Sequence, residues 1–143
     1  MDVASAQTRI PCVGMLMADK ADQALDIFSQ ALSRDGWVSD KDVIIEFRDG
    51  HSDPNRINQL IGELTASPVD VMVPIGPLAV RATYARTRSI PIVAHDLETD
   101  PIAADYADGY NYPGRNLTGL FLDTPELATK WIELLKALAA CRI

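Results

Sequence analysis

The alternation of short apolar runs with amphipathic segments constrains the fold of this chain more than any other feature of its sequence. Runs typical of β-strands lie at 12–17, 43–47, 69–75, 90–94 and 116–121. Helices are predicted at 22–34, from 54 onward, at 77–87, at 102–107 and at 125–140. Strands that alternate with helices favour parallel pairing through right-handed crossovers. The predicted fold class is therefore α/β, a three-layer open parallel sheet in the flavodoxin-like order 2-1-3-4-5.

Three of the predicted helices carry an apolar stripe that should face a partner surface. In the first helix the stripe is expected to be buried, and it consists of Leu25, Ile27, Phe28, Ala31 and Leu32. The second helix begins at Asp53 and Pro54, a capping residue followed by a first-turn proline, and its stripe is Ile57, Leu60, Ile61 and Leu64. The stripe of the last helix is Leu127, Trp131, Leu134, Leu135 and Leu138.

Charge and cysteine content exclude several classes of function. Lys and Arg number 13 against 20 Asp and Glu, a net charge of -7, which argues against nucleic acid because that binding relies on clustered cations. Cys12 lies in an apolar run and is predicted to be a small buried side chain, and pairing with Cys141 is not expected. No zinc motif and no membrane-length apolar stretch occurs. Neither a metal nor a cofactor is predicted.

Catalytic motifs are also missing from the sequence. It contains no G-x-S-x-G elbow, no P-loop and no G-x-G-x-x-G turn. A phosphate-accepting receiver would need an acidic pair after the first strand and an Asp after the third, but Ala18-Asp19 and Gly76-Pro77 occupy those positions. We therefore interpret the chain as a non-catalytic protein.

Open parallel sheets bind ligands at the carboxyl ends of their strands, and two such ends are informative here. Gly76-Pro77-Leu78 follows the third strand, where glycine admits a ligand to the backbone and a helix N-terminus offers N–H groups to an anion. An ordinary strand-to-helix turn would use the same residues. After the fourth strand, Asp96 and Asp100 belong to an acidic loop that either binds a polar ligand or is simply solvated. Tyr106, Tyr110 and Tyr112 either stack on a ligand or pack this loop, whereas His51 is predicted to be an exposed loop residue.

Taken together, several sequence blocks resemble the substrate-binding proteins of ABC transporters, of the type described as tryptophan/tyrosine or sugar-type transport components. The blocks are RIPCVGMLM, then ALSRDGWVSDKDVIIEFRDGHSDPNRINQLIGEL, VDVMVPIGPLAVRATYARTRSIPIVAHDLETDPIA and PGRNLTGLFLDTPELATKWIELLKAL. The likeness spans residues 9–139. It implies a type I periplasmic-binding lobe, a small organic ligand held between two lobes and, at full length, an ABC permease as partner. By position, it places Gly76, Pro77, Leu78, Asp96, Asp100, Ala18 and Asp19 around the ligand.

The same resemblance divides the chain into three segments. Residues 1–8 are expected to be a disordered tail, 9–124 the first lobe, and 125–143 a helix that would begin a second lobe. Ala4, Ser5, Ala6 and Gln7 look like a signal-cleavage site, so a periplasmic location is expected if a leader precedes the chain. Without a second lobe, the helix stripe should pack on its own lobe or against a second copy, forming a homodimer. The alternative is a stand-alone flavodoxin-like domain, regulatory or enzymatic, that acts as a homodimer.

Overall fold

The computed structural model describes residues 9–19, 23–96, 98–121 and 124–140, with side chains at 124–127 and 138–140 left aside. The predicted tail at 1–8, Cys141, and the side chains of Leu127 and Leu138 lie outside the described part. Five parallel strands form the sheet: β1 (Cys12–Met17), β2 (Ile44–Asp49), β3 (Val71–Ile75), β4 (Ile92–Asp96) and β5 (Leu117–Phe121). The helices are α1 (Ala24–Arg34), α2 (Pro54–Ala66), α3 (Pro77–Arg86) and α4 (Thr124–Ala140).

The strand order is β2-β1-β3-β4-β5, and every pairing is parallel. The fold class and topology predicted from the sequence are thereby confirmed. The strand order reverses between β1 and β3. The helices that follow these two strands therefore pack on opposite faces of the sheet. The carboxyl ends of β1, β3 and β4 consequently lie side by side.

One face of the sheet holds the main core, which it shares with α2 and α3. Leu16, Met72 and Ile92 project to this side and are fully buried. The predicted α2 stripe meets them: Ile57, Leu60, Ile61 and Leu64 are all buried. Asp53 caps α2 by accepting the Asn55 N–H at 2.9 Å, as the sequence predicted. Cys12, also predicted to be buried, is 4% exposed.

The prediction that the α1 stripe is buried is wrong. No residue of α1 is buried, and Ile27 is 63% exposed. The apolar side of α1 borders a groove of about 510 Å³ over the second face of the sheet, instead of contacting that face closely. Helical periodicity identifies an apolar face correctly, but it carries no information about how near the opposing surface is.

Three further expectations are corrected in the second half of the chain. Residues 102–107 form successive turns rather than a short helix. The stripe of α4 does not pack on its own lobe either, because the described side chains at 128–137 are all exposed. Strand β4 also begins two residues later than predicted, since the Thr87 hydroxyl accepts the N–H groups of Ser89 and Ile90 and holds them in a turn.

Candidate functional site

The carboxyl ends of β1, β3 and β4 form one continuous edge. The Ala18 N–H donates to the Ile75 carbonyl at 2.9 Å, and the Gly76 N–H donates to the His95 carbonyl at 2.9 Å. A Cβ atom at Gly76 would lie 3.0 Å from the Ala18 Cβ. The structure thus brings Ala18 and Gly76 into direct contact at the strand-order reversal, where open α/β sheets bind ligands.

Gly76 adopts a backbone conformation that favours glycine, with φ at +91°. It is the residue before α3, and no side chain caps this helix within the described residues. Pro77 has no N–H, so the backbone N–H groups of Leu78 and Ala79 are the donors of the first turn. At α2, by contrast, the Asp53 carboxylate already accepts a hydrogen bond from a first-turn N–H group. The N–H groups at the α3 N-terminus are therefore able to donate hydrogen bonds to an acceptor group of a ligand.

Asp96 ends β4 and is completely buried. One carboxylate oxygen accepts the Glu98 N–H at 2.9 Å, while the other has no hydrogen-bond partner among the described residues. A buried carboxylate oxygen without a partner is costly. The pKa of Tyr106 is raised, mainly by burial and further by the charge of Asp96. Asp96 therefore lies beneath the loop that follows β4, and its predicted contact with ligand stays a prediction.

Asp100 organises this loop instead of lying free at its surface. Its Oδ1 accepts the N–H of Ile102 at 2.9 Å and that of Ala103 at 3.3 Å. The Tyr110 hydroxyl donates to the same oxygen at 3.3 Å. This is the arrangement that begins a helix, but Asp105 has a left-handed backbone with φ at +58°, so the chain leaves the helical path after one turn. The predicted ligand contact of Asp100 also stays a prediction.

The β2–α2 loop contributes residues that the sequence analysis did not place at the site. His51 and Ser52 both have positive φ, at 51° and 58°, which is uncommon for residues other than glycine. The Ser52 N–H donates to the Ala18 carbonyl at 2.8 Å, and its hydroxyl donates to Asp19. His51, exposed as predicted, lies 2.6 Å through Nδ1 from Asp49. The turn-rich motif RDGHSDP was the only signal available in the sequence.

The three candidate tyrosines divide into one buried side chain and two exposed ones. Tyr106 is 7% exposed and meets Tyr84 edge-on, with ring centroids 4.9 Å apart, so it packs the loop. Tyr110 and Tyr112 are 66% and 82% exposed. Tyr110, with Pro101, Pro113 and Phe121, lines a cleft of about 400 Å³ between the loop and β5.

Arg115 fastens the loop 98–116 to the body of the domain. Its guanidinium donates to the Tyr84 hydroxyl at 3.0 Å, to the Asp105 carbonyl at 2.7 Å and to the Asp105 carboxylate at 2.7 Å. It also contacts the Asp108 carboxylate at 3.1 Å. The hydrogen bond from Arg115 to the Asp105 carboxylate, and next the positive charge of Arg115, lower the pKa of the Asp105 carboxyl.

The Arg115→Gln substitution should destabilise the protein more at neutral pH than in acid. Because the pKa of Asp105 is lower in the folded state, its ion pair stabilises the fold above the unfolded pKa of about 3.9 and is lost as the pH falls below that value. Thermal unfolding of both proteins from pH 7 to pH 2.5 should therefore show a difference in Tm that narrows in acid. Lys41→Gln, an exposed lysine outside this cluster, serves as the control. A difference that stays constant with pH would contradict the assignment.

Two other classes of site find no support among the described residues. No group of three or more His, Cys, Asp or Glu side chains is arranged to hold a metal ion in the described part of the chain. Among the helices over those residues, none combines the length and apolar character needed to cross a membrane.

An open parallel sheet in this order defines a doubly wound α/β domain that binds ligands at its carboxyl edge. Comparison with protein families gives the identity at the next level. The family model described as "ABC transporter substrate binding protein" matches residues 10–140. The chain belongs to this family, as its sequence blocks indicated. A search of curated proteins returned no match.

Solved structures with the same fold are about twice as long, since the part of this chain that superposes is about two fifths of each of them. A conserved domain protein from Vibrio cholerae O1 biovar eltor superposes with a TM-score of 0.73 at 25% identity, over 87% of this chain and 43% of that one. An ABC domain from Streptococcus pneumonia in complex with L-Trp gives 0.68 at 25%, over 79% and 39%. A ligand-free, open substrate-binding protein with adhesive properties from Clostridium difficile gives 0.69 at 21%, over 77% and 38%. The chain therefore spans about 40% of the length of these proteins.

Proposed function

We propose that this chain forms one lobe of the solute-binding component of an ABC-type importer and that it contacts a small, amino-acid-like solute without catalysis. The observation that carries the proposal is the uncapped N-terminus of α3 at Gly76, beside Ala18 at the strand-order reversal. Its backbone N–H groups suit a carboxylate. The related domain from Streptococcus pneumonia was solved with L-Trp, which makes L-tryptophan the first ligand to test.

The proposed mechanism is binding by enclosure between two lobes. A two-lobed protein gains affinity by closing over its ligand, so this lobe alone should bind weakly. At full length the partner would be an ABC permease. The domain division at residue 124 and a location in the periplasm, reached through a leader, belong to the same proposal.

L-tryptophan should stabilise the chain in scanning calorimetry, and L-tryptophanamide should not. The amide lacks the carboxylate to which the N–H groups of Leu78 and Ala79 would donate hydrogen bonds. At ten times the dissociation constant, a ligand adds about 1.4 kcal/mol to the free energy of unfolding, which corresponds to a Tm increase of several degrees. Equal shifts with both compounds would reject the α3 site. A shift given only by a nucleotide or flavin would favour the stand-alone domain instead.

Gly76→Ala should remove this ligand-induced shift. The new methyl would lie 3.0 Å from the Ala18 Cβ, and the residue would keep a left-handed backbone, with φ at +91°. The matched control is Gly36→Ala, which has φ at +89° and open space around the added methyl. Both variants should lose about 1–3 kcal/mol of stability through backbone strain. Only Gly76→Ala should lose the response to L-tryptophan, and a retained response would show that this turn does not contact ligand.

A further inference from the structure

The turn between β2 and α2, at residues 49–53, is held against the end of β1 by its backbone. The Gly50 N–H donates to the Met17 carbonyl at 2.9 Å, and the Ser52 N–H donates to the Ala18 carbonyl at 2.8 Å. A Cβ atom at Gly50 would lie 3.0 Å from the Met17 oxygen and 3.1 Å from the Ala18 oxygen, so a larger residue would force the turn away from the strand. The turn is therefore closely fitted to the end of β1.

This turn keeps two consecutive residues, His51 and Ser52, in the left-handed backbone region, with φ at 51° and 58°. Residues other than glycine remain in that region only where the surrounding structure enforces it. Here the Asp49 carboxylate accepts the His51 N–H at 2.9 Å, and the Arg56 guanidinium donates to the Asp49 carbonyl at 2.8 Å. Backbone strain of this kind is concentrated at ligand-binding and catalytic sites, so the group that the turn positions is a candidate part of such a site.

The group that this turn positions is the carboxylate of Asp19. The Ser52 hydroxyl donates to Oδ1 of Asp19, and Asp19 is exposed at the carboxyl edge of the sheet. The preceding residue, Ala18, is fixed on both sides, because its N–H donates to the Ile75 carbonyl and its own carbonyl accepts from Ser52. Both oxygens of a carboxylate accept hydrogen bonds, so the bond from Ser52 orients Asp19 and uses only part of its capacity.

We propose that Asp19 binds the ammonium group of the solute and that Ser52 is a positioning residue, which holds the Asp19 carboxylate in the required direction. This inference rests on the proposed function and makes it more specific, because it restricts the solute to compounds with a carboxylate and a neighbouring ammonium group. Ala18 contacts Gly76, so Asp19 directly follows a residue that touches the turn before α3. The two charged groups of an α-amino acid share one carbon and would meet these two neighbouring sites together.

The chemistry of the two neighbouring sites is complementary to a zwitterion. An ionised carboxylate such as that of Asp19 only accepts hydrogen bonds, so its ligand must be a donor, and a cationic donor forms the stronger, charge-assisted bond. The backbone N–H groups of Leu78 and Ala79, at the start of α3, are donors and suit an anionic acceptor. One edge of the sheet therefore presents an acceptor for an ammonium group beside donors for a carboxylate.

The preference for L-tryptophan over indole-3-propionate tests the proposal, because the second compound has the same ring and carboxylate but no ammonium group. NMR titration of the 143-residue chain with each compound gives the two dissociation constants. The unaltered chain should bind L-tryptophan about tenfold more tightly, which is the effect of one hydrogen bond to a charged group. Asp19→Asn should abolish this preference. The control is Asp35→Asn, at an exposed aspartate beyond the C-terminal end of α1, and it should keep the preference.

Two variants of Ser52 separate the effect of its hydroxyl from that of the strained backbone. Ser52→Ala removes the hydroxyl and keeps the strain, whereas Ser52→Gly removes the hydroxyl and relieves the strain. Both should reduce the preference by about threefold, the effect of one ordinary hydrogen bond, and neither alters the charge of Asp19. Ser33→Ala, at an exposed position of α1, is the control and should leave the preference unchanged. Because the ratio of two dissociation constants is measured, a variant that is merely less stable would not alter it.

Four results would overturn the proposal, and only the last would also overturn the proposed function. Equal binding of the two compounds by the unaltered chain would show that no ammonium group is recognised, while the carboxylate site at α3 would stand. A preference that survives in Asp19→Asn would assign the ammonium group to another residue. A preference lost in Asp19→Asn but kept in either Ser52 variant would show that the Ser52 hydroxyl does not position Asp19. Failure of both compounds to bind the unaltered chain would reject the solute site itself.

Discussion

Gly119→Ala is expected to separate β5 from β4 and to lower the free energy of unfolding by about 3 kcal/mol or more, because forced overlap in a packed region costs this much. Gly119 pairs with Ala94 in the sheet. A Cβ atom at Gly119 would lie 2.0 Å from the Ala94 carbonyl oxygen and 2.8 Å from the Ala94 nitrogen. Both atoms belong to the backbone, so no rotamer change can relieve the overlap, and the strands must move apart.

Urea unfolding would measure the loss of stability, and hydrogen exchange would locate it. Amides of β5 should exchange fast in the variant while those of β1 and β3 stay protected. Thr118→Ala, on the neighbouring exposed position, is the control and should change stability by less than about 0.5 kcal/mol. Normal protection of β5 in Gly119→Ala would show that the close approach of Ala94 is not a feature of the folded protein.

Leu64→Ala is expected to cost about 3 kcal/mol, within the range measured for leucine truncation in a packed core. Leu64 lies in α2 and is completely buried. Its Cδ2 would lie 3.5 Å from a Cβ built at Gly14, so α2 packs directly against β1. The cavity left by truncation cannot collapse readily, because helix and strand are held by the rest of the core.

Chemical denaturation with an unchanged m-value would measure this cost as a loss of stability alone. Ile102→Ala is the control, since Ile102 is 40% exposed in the loop and its truncation should be close to neutral. Equal losses of stability in Leu64→Ala and Ile102→Ala would show that the division into a packed α2–α3 face and a half-open α1 face is wrong.

The comparison of α1 with α2 shows where sequence periodicity succeeds and where it fails. Both helices have a clear apolar stripe, and the strand and helix order follows from such patterns alone. Leu64 is buried and Ile27 is exposed, although both were assigned to the core. Periodicity is a local property of a segment, whereas burial depends on how many other elements reach the same face. On the α2 side two helices share the sheet, while on the α1 side the groove is left open.

At the candidate site, too, some features were predicted from the sequence and others were revealed only by the structure. The resemblance to the family placed Gly76 and Ala18 around the same ligand, and the structure brings these two residues into contact because its strand order puts the ends of β1 and β3 side by side. Asp96 was expected either to contact ligand or to belong to a solvated loop. The solvated alternative is wrong for Asp96, because it is buried under a loop whose turns Asp100 and Arg115 hold in place. Ser52 was not expected at all, and it joins the site through the Ala18 carbonyl.

The sequence by itself determined the fold class, the strand order, the α2 cap and the membership of the substrate-binding family, since each depends on patterns within short segments or on blocks in a set order. The tertiary structure alone decided which apolar faces are covered, how the loop 98–116 folds, and which side chains meet at the carboxyl edge. Those outcomes depend on contacts between residues far apart in the chain, such as Arg115 with Tyr84 and Ser52 with Asp19. The energies of such contacts exist only once the sheet has brought its strands together.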